Sequence, residues 1–535
     1  MKALLVLLTI LFQALTLNAQ ISSTNLDHNN VSAYISDIGT YFFDYSNSSM
    51  GYEVPKGSDI YAIYSTQFWF AGKDNLGEIH FVQGGSPTQG TDLFNGPISG
   101  PGTYDTQQYI DQWESSMWEI CQSEIDTYLL WWECSMGFLT PQECQNVASP
   151  SMEIMNKIYA WPAHGDVTIG QAYFLAPFYD NPLGPSGVDG AYRPQDGDYP
   201  LIKGCCATYM IQNDAAHSHT YTNTDSLGIE IHTMFYQYET SDYLNDVTFV
   251  DIKAINRSTN DYTEFSQSIV VDADLGNYSD DYYGCDSLSN CMFFYNGDNN
   301  DENNTFYLGY GIDPPAIGVV CLEEEMNSCV PYNSGATTNA KWNLMHGLDA
   351  SGNPWVDLNM NTTNYVYSGN PNIPSEWSAY STGAQTGDAI GISSHNYGNF
   401  NSGDVITQSY AILYARDGSH LENAQHIIDL SGEVKTFYDS NLNDICEEME
   451  LGIFEEFLND ILIYPNPSNG VFNLSTGHPG PINLFVYDVT GKIIFESNSE
   501  NYQFMEINLS NRSKGLYTLK VQIDQNFVTK KLVIE

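Results

Sequence analysis

The sequence predicts a mainly β protein: an antiparallel β-sandwich-like body with a small helical insertion, followed by a small C-terminal β-sandwich. Three observations predict it. Runs rich in aromatic and β-branched residues recur with Asp or Asn turns between them, and one short segment switches to a helical period. Residues 461–535 then repeat short alternating strands divided by glycine turns. At 535 residues the chain exceeds what one core usually holds, so two or more domains are expected.

Lys2 opens the chain, an apolar stretch from Ala3 to Phe12 broken only by Thr9 follows, and small or polar residues lead to Asn18-Ala19-Gln20. That is the layout of a secretory signal peptide over residues 1–19, cleaved before Gln20. Its apolar part is too short to span a bilayer comfortably. No later stretch reaches the roughly 18–20 apolar residues a transmembrane helix needs, so no transmembrane segment is expected in the mature form.

Residues 20–445 form the acidic, β-rich body. Ile60 to Gly72 mixes β-branched and aromatic residues, and Lys73 to Gly77 turns it toward EIHFVQ as a hairpin. From Tyr109 to about Trp132 the spacing of Ile110, Trp113, Met117, Cys121, Ile125 and Tyr128 predicts one helix within an insertion near 104–160, its tryptophans in the core. A short helix follows Ser149-Pro150 and ends before Trp161-Pro162. Between Gly228 and Asp274, IEIHTMFYQYE, VTFVDIKAINRS and YTEFSQSIVVDAD predict three strands of one antiparallel sheet. Gln408 to Ala415 adds another. Leu421 to Tyr438 predicts a closing helix, with Leu421, Ala424, Ile427, Ile428, Val434 and Phe437 inward and Gly432 arguing against it.

An acidic linker, 446–460, leads to the tail. The tail carries six basic and six acidic residues; with Lys2 also set aside, ten basic residues face sixty acidic ones between positions 20 and 460. A body so acidic repels nucleic acid and anionic lipid and attracts cations, which argues against a nucleic-acid partner. Ten cysteines in an exported chain point to disulfides. Cys285 with Cys291, and Cys321 with Cys329, are close enough to staple local loops. Cys121, Cys134 and Cys144 share a Trp-rich segment, and Cys446 is open to any partner. The vicinal pair Cys205-Cys206 is expected to bond outward, because a bridge between neighbours is strained.

Two acidic stretches are candidate metal sites. In VDGAYRPQDGDYPLIKG, Asp189, Asp196 and Asp198 cluster in a loop bounded by Gly and Pro; in VVDADLGNYSDDYYGCDS, Asp272, Asp274, Asp280, Asp281 and Asp286 fall within fifteen residues. Charges packed so densely need solvent or a cation, and calcium, with six to eight oxygen ligands, is the expected cofactor. Asp272 and Asp274 suit the first two ligand positions of an EF-hand, but Gly276, Asn277 and Tyr283 break that pattern, so any such loop is irregular. The alternative is turns whose Asp side chains bond their own backbone. His164, His217, His219 and His232 invite a metal or hydrolase reading that needs further converging ligands. No nucleophile motif such as GxSxG occurs, though two carboxylates at a defined separation would suffice for a glycosidase.

The tail strings ILIYPNPSNGVFNLS, INLFVYDVTGKIIFE, INLSNRSKGLYTLKVQI and FVTKKLVIE predict about seven strands, enough for an Ig-like sandwich. They resemble the type A C-terminal sorting domain of the Bacteroidota type IX secretion system. The matching elements, in order, are Tyr464-Pro465-Asn466-Pro467, then Tyr487 to Lys492 with Asp488 and Gly491, then Gly515-Leu516-Tyr517, and finally Lys531-Leu532-Val533. The resemblance implies Sec export and then the type IX outer-membrane machinery as partners, with attachment to surface lipopolysaccharide or release. The body resembles large Bacteroidota surface proteins carrying the same tail, through FWFAGKD, WPAHGD, APFYD, DGAYRPQDGDYPLIKG and YGIDPPAIGV. That resemblance implies location rather than chemistry. The function expected is a non-enzymatic secreted or cell-surface protein acting in adhesion, matrix building or glycan contact with calcium-stabilised acidic loops. The alternative is a secreted hydrolase acting on polysaccharide or protein.

Overall fold

The computed structural model describes residues 22–86, 89–113, 117–305, 307–332, 335–440, 446 and, in the tail, 462–534 apart from 465, 476–481, 488–491, 500–503 and 524–525. The expected signal peptide and most of the acidic linker lie outside the described residues. The chain divides into two compact units, residues 1–446 and 447–535.

The body is built on a nine-stranded antiparallel sheet. Its strands follow the order Phe94–Asn95, Cys206–Asn213, Ile229–Gln237, Thr248–Asn256, Val405–Ala415, Ala316–Cys321, Cys291–Asn296 and Asp281–Asp286, with Met117–Cys121 also paired to Cys206–Asn213. Both faces are covered. Side chains alternate along a strand: Ile229, Ile231 and Phe235 enter one core, while Met234 and Tyr236 enter another. Met292 and Phe294 likewise oppose Phe293 and Tyr295, and Tyr410 and Ile412 oppose Ala411 and Leu413.

The first core is closed by a six-stranded sheet, Ser328–Tyr332, Ala389–Phe400, Tyr262–Ala273, Ser65–Lys73 and Thr40–Tyr41, with Ile79–Val82 paired to Ser65–Lys73 as the expected hairpin. Phe68, Ile269, Val271 and Ile392 fill it from this side. The second core is closed by the helix His420–Ser440, through Ala424, Ile427 and Val434, and by the helical insertion, through Trp113, Ile125, Tyr128, Trp132 and Ile158. No helix among the described residues is long and apolar enough to cross a membrane, which says nothing of β-barrels.

Three expectations are corrected. The three runs between Gly228 and Asp274 do not share one sheet. Ile229–Gln237 and Thr248–Asn256 pair with each other, but Tyr262–Ala273 crosses to the six-stranded sheet. The corner is held by Asn256, whose Nδ2 donates to the carbonyls of Asn260 (2.9 Å) and Phe400 (3.0 Å). The helix expected from Tyr109 to Trp132 is interrupted: Gln107–Trp113 and Gln122–Met136 are helical, while Met117–Cys121 is a strand. Pairing with Cys206–Asn213 takes its backbone groups, and the Cys121–Cys206 disulfide fastens the pair. Finally, Cys285, Cys291, Cys321 and Cys329 staple no loops; all four are buried free thiols. Cys205 and Cys206 do bond outward, to Cys446 and Cys121, and Cys134 bonds Cys144. The short helix Met152–Tyr159 stands where expected, its N-terminus capped by the Ser151 side chain.

Among its described residues the tail unit has seven strands in two sheets, Leu462–Tyr464, Val471–Ser475 and Phe504–Asn508 in one, and Ile493–Ser499, Ile482–Tyr487, Gly515–Ile523 and Asn526–Ile534 in the other. Phe472, Leu474, Leu484, Val486, Leu519 and Leu532 are buried in its core.

Two glycines of the closing helix and its sheet have opposite roles. Gly318 lets the helix approach, since a Cβ there would stand 2.3 Å from Ile427 Cγ2; Gly432, inside the helix, has open space around it. Gly318→Ala is expected to cost about 1–3 kcal/mol by overpacking. Gly432→Ala is expected to stabilise by about 0.5–1 kcal/mol through helix propensity. Denaturant unfolding of both variants checks these opposite signs.

Candidate functional site

The end of Tyr262–Ala273 builds the acidic centre of the body. Asp272 and Asp274, two residues apart, share one side of the chain as the strand runs out. Ala273 is paired with Ala389, so Asp388 stands beside them from the neighbouring strand. The three carboxylates offer oxygens within 4.8 Å of one another. Burial, then the charges of Asp274 and Asp388, push the Asp272 carboxyl up to about 8. Burial and Asp388 push Asp274 up to about 7. The Tyr64 hydroxyl feels the same field and is pushed up to about 12 by burial and then by Asp272, Tyr307, Tyr45 and Asp274.

A second group lies behind it. Asp301 accepts from the backbone N–H groups of Asn277 (3.2 Å) and Tyr310 (2.5 Å), and burial is the main force pushing it up to about 7. Gly276 is required at this contact: its φ is +67°, and a Cβ would stand 2.3 Å from Asp301 Oδ2. Asp281 accepts from Leu275 N (3.0 Å), and its Oδ1 is buried without a donor, as is Asp280 Oδ1. Burial drives Asp281 well above the carboxylate range, with Asp280, Asp274 and Asp301 adding to it.

The other predicted ligands stand elsewhere. Asp286 accepts from the N–H groups of Leu288 and Ser289, closing the hairpin at the far end of its strand. Asp189 pairs with Arg193 and accepts from Ala191 N. Asp196 accepts from Ser186 Oγ, and Asp198 from Asn181 N and Arg193 N. Each of the four has its own donors, and Asp189 and Asp286 accept from the backbone of their own turns. Residue 388 carried no signal in the sequence; only sheet register brings it to positions 272 and 274.

The four histidines stand outside the acidic cluster. His164 donates from Nδ1 to Tyr173 O (3.1 Å) and accepts at Nε2 from Tyr192 N (2.8 Å), so both ring nitrogens serve the backbone. His219 pairs with Asp214 inside the body, and His217 stands near Asp105. His232 joins Glu230 (3.1 Å) and Tyr209 (2.6 Å).

Around His164 the loops that follow the insertion display an exposed aromatic face. Phe174 is 62 % exposed, Tyr173 42 % and Tyr179 40 %. Tyr173 stacks on His164 at 4.1 Å, with Phe174 and Phe178 edge-on to the same ring, and Tyr179 stacks on Tyr199 at 4.8 Å. Val167, Leu183 and Val188 are also exposed in this segment. Separately, a concavity of about 630 Å³ is lined by Tyr243, Asp246, Tyr414, Arg416, His426 and Glu433, among others.

In the tail, the first and last recognised elements meet. Asn466 Nδ2 donates to Lys531 O (2.6 Å), and its Oδ1 accepts from Val533 N (2.9 Å). Ser468, following Pro467, bridges to Ile534. Gly515 begins the strand that carries buried Tyr517, whose hydroxyl donates to Ser513 O (2.7 Å). Tyr464 ends the first strand; Pro465, Asp488 and Gly491 lie outside the described residues.

Fold and site together define a disulfide-braced, acidic β-sandwich joined to a separate small β-unit. Residues 462–535 match the family described as the secretion system C-terminal sorting domain. The tail is therefore a type IX sorting signal, and the chain is one sent to the cell surface or secreted. None of the curated proteins matches the chain. Among solved structures, a polysaccharide lyase is 8 % identical; the alignment covers 57 % of this chain and 34 % of that one, with a TM-score of 0.17, and carries no argument. The chain thus spans about a third of that protein's length.

The buried Glu230 predicts a pH response. Burial raises its carboxyl, but His232, by hydrogen bond and charge, and Arg257 outweigh burial and hold it at about 2 against an ordinary 4.5. A lowered carboxylate contributes stability that is complete above about pH 4.5 and lost as pH falls toward 2. Glu230→Gln is expected to lower stability at pH 7 by about 2–3 kcal/mol and to flatten the loss between pH 4.5 and 2. Thermal melts across that range check it; an unchanged acid limb would count against the role given to Glu230.

Proposed function

We propose that the chain crosses the inner membrane through Sec, passes the outer membrane through the type IX machinery, and acts outside the cell as a non-enzymatic glycan-contact protein in adhesion or matrix building. The exposed aromatic face of the loops after the insertion carries this reading. Exposed apolar patches on exported β-proteins mark interaction surfaces, and Tyr, Phe and His rings present flat apolar faces edged by polar groups. Here Asp189, Arg193 and Asp180 lie in the same segment and supply a charged rim. Surface lipopolysaccharide or extracellular glycan fits such a face. Calcium is part of the reading, because the acidic centre buries more carboxylate than the chain's own cations neutralise.

On a glycan array, the purified protein is expected to bind a subset of polysaccharides, and Tyr173→Ala/Phe174→Ala is expected to weaken that binding at least tenfold without changing the melting temperature. Phe174 is largely exposed and Tyr173 partly so, and neither belongs to a buried core. Absence of binding, or equal binding by the variant, would sink the glycan reading. The 630 Å³ concavity, with Asp246, Asp429 and Glu433 in its wall, favours a second reading as a secreted hydrolase of polysaccharide or protein. Turnover in a generic hydrolase screen would decide for it.

Deleting residues 462–535 is expected to leave the body in the periplasm. Fractionation and surface labelling check this, and unchanged surface delivery would contradict the role of the tail.

A further inference from the structure

We propose that Asp272, Asp274 and Asp388 bind one Ca²⁺ ion. Their carboxylate oxygens lie within 4.8 Å of one another. Oxygens that close can be shared by one cation. The donor set is all oxygen and all anionic, which suits a hard divalent cation. Asp388 is exposed, so the solvent side stays open to water ligands, an irregular shell that Ca²⁺ accepts and Mg²⁺ tolerates poorly.

A second observation points the same way. Asp274 is only 5 % exposed, and among the described residues no N–H or O–H group donates to its carboxylate. Burying a carboxylate without a donor costs several kcal/mol unless it is neutralised. Behind it, Asp281 is 2 % exposed and keeps Oδ1 without a donor. Among the described residues none of the three ligands forms an ion pair with Lys, Arg or His. Asp189, Asp196, Asp198 and Asp286 have their own donors and are not part of the site.

The ion's place in the fold gives it a mechanical role. Asp272 and Asp274 end the strand Tyr262–Ala273, and Asp388 precedes Ala389–Phe400. Gly387, next to Asp388, bridges to Asp281 at the edge strand of the nine-stranded sheet. One cation therefore fastens two strands of one sheet beside their junction with the other. This deepens the calcium part of the proposed function and is independent of glycan contact, so the two fail separately.

The test uses the full chain stripped with EDTA and titrated with CaCl₂ by calorimetry, with thermal melts alongside. One Ca²⁺ per chain is expected, with a rise in melting temperature of about 3 °C or more at saturation and a weaker response to Mg²⁺. Asp272→Asn, Asp274→Asn and Asp388→Asn should each weaken binding at least tenfold. Asp→Asn removes repulsion at this cluster, so the variants should melt in EDTA no lower than the unaltered protein; exposed Asp388→Asn keeps the test decisive if a buried variant fails to fold. Asp189→Asn/Asp196→Asn should leave binding unchanged. No calcium binding by the unaltered protein, undiminished affinity in Asp388→Asn, an equal response to Mg²⁺, or an equal loss in the Asp189→Asn/Asp196→Asn protein would each overturn the assignment.

Discussion

Everything in the body depends on a sheet that is buried on both faces. A sheet of this kind cannot be stable alone: one apolar face needs a second sheet, and the other needs helices. The six-stranded sheet answers the first requirement through Phe68, Ile269 and Val271, and the helix His420–Ser440 with the insertion answers the second. The insertion is thus part of the core and not a decoration. Its tryptophans 113, 132 and 161 point inward, which leaves the smaller aromatic rings of the following loops to form the outer face.

The same requirement governs the polar residues. Strands buried on both sides have no room for charge except where an ion pair neutralises it, as at Glu230 with His232 and Arg257. The excess of acid is therefore driven to turns and strand ends. Most of those aspartates are satisfied by their own backbone: Asp349 accepts from the N–H groups of Ser351 and Asn353, and Asp357 from those of Asn359 and Asn361. Where strand ends from two parts of the chain converge, that local remedy runs out. Asp272, Asp274 and Asp388 meet there with too few donors to share.

Much of this was legible in the residues, for physical reasons that also mark the limit. Strand existence at Ile229–Gln237 or Val405–Ala415 follows from composition, because both runs concentrate aromatic and β-branched residues. Strand partnership does not follow, and Tyr262–Ala273 left the sheet of its neighbours at a corner fixed by one asparagine. The period through Met117 and Cys121 looked helical because three- and four-residue spacings include residues that a strand can also bury. A tertiary partner, Cys206–Asn213, decided the matter. Cysteine proximity in sequence misleads for the same reason: Cys285 and Cys291 flank the turn of one hairpin on opposite strands, and their side chains enter different cores. Acidic clustering identified Asp272 and Asp274 but also Asp189 and Asp286, since density along the chain cannot tell a shared centre from a set of separate turns.

The tail and body also differ in how they are closed, and this bears on export. Cys446 is the last residue of the first compact unit, and its disulfide to Cys205 closes a loop of 241 residues. Cross-links over long loops chiefly restrict the unfolded chain, so this bond holds the end of the body whether or not a tail is attached. The tail has its own core and its own clasp, from Asn466 to the backbone of Lys531 and Val533. A cut anywhere from 447 to 461 would therefore leave a body whose Cys446 is already fastened to Cys205.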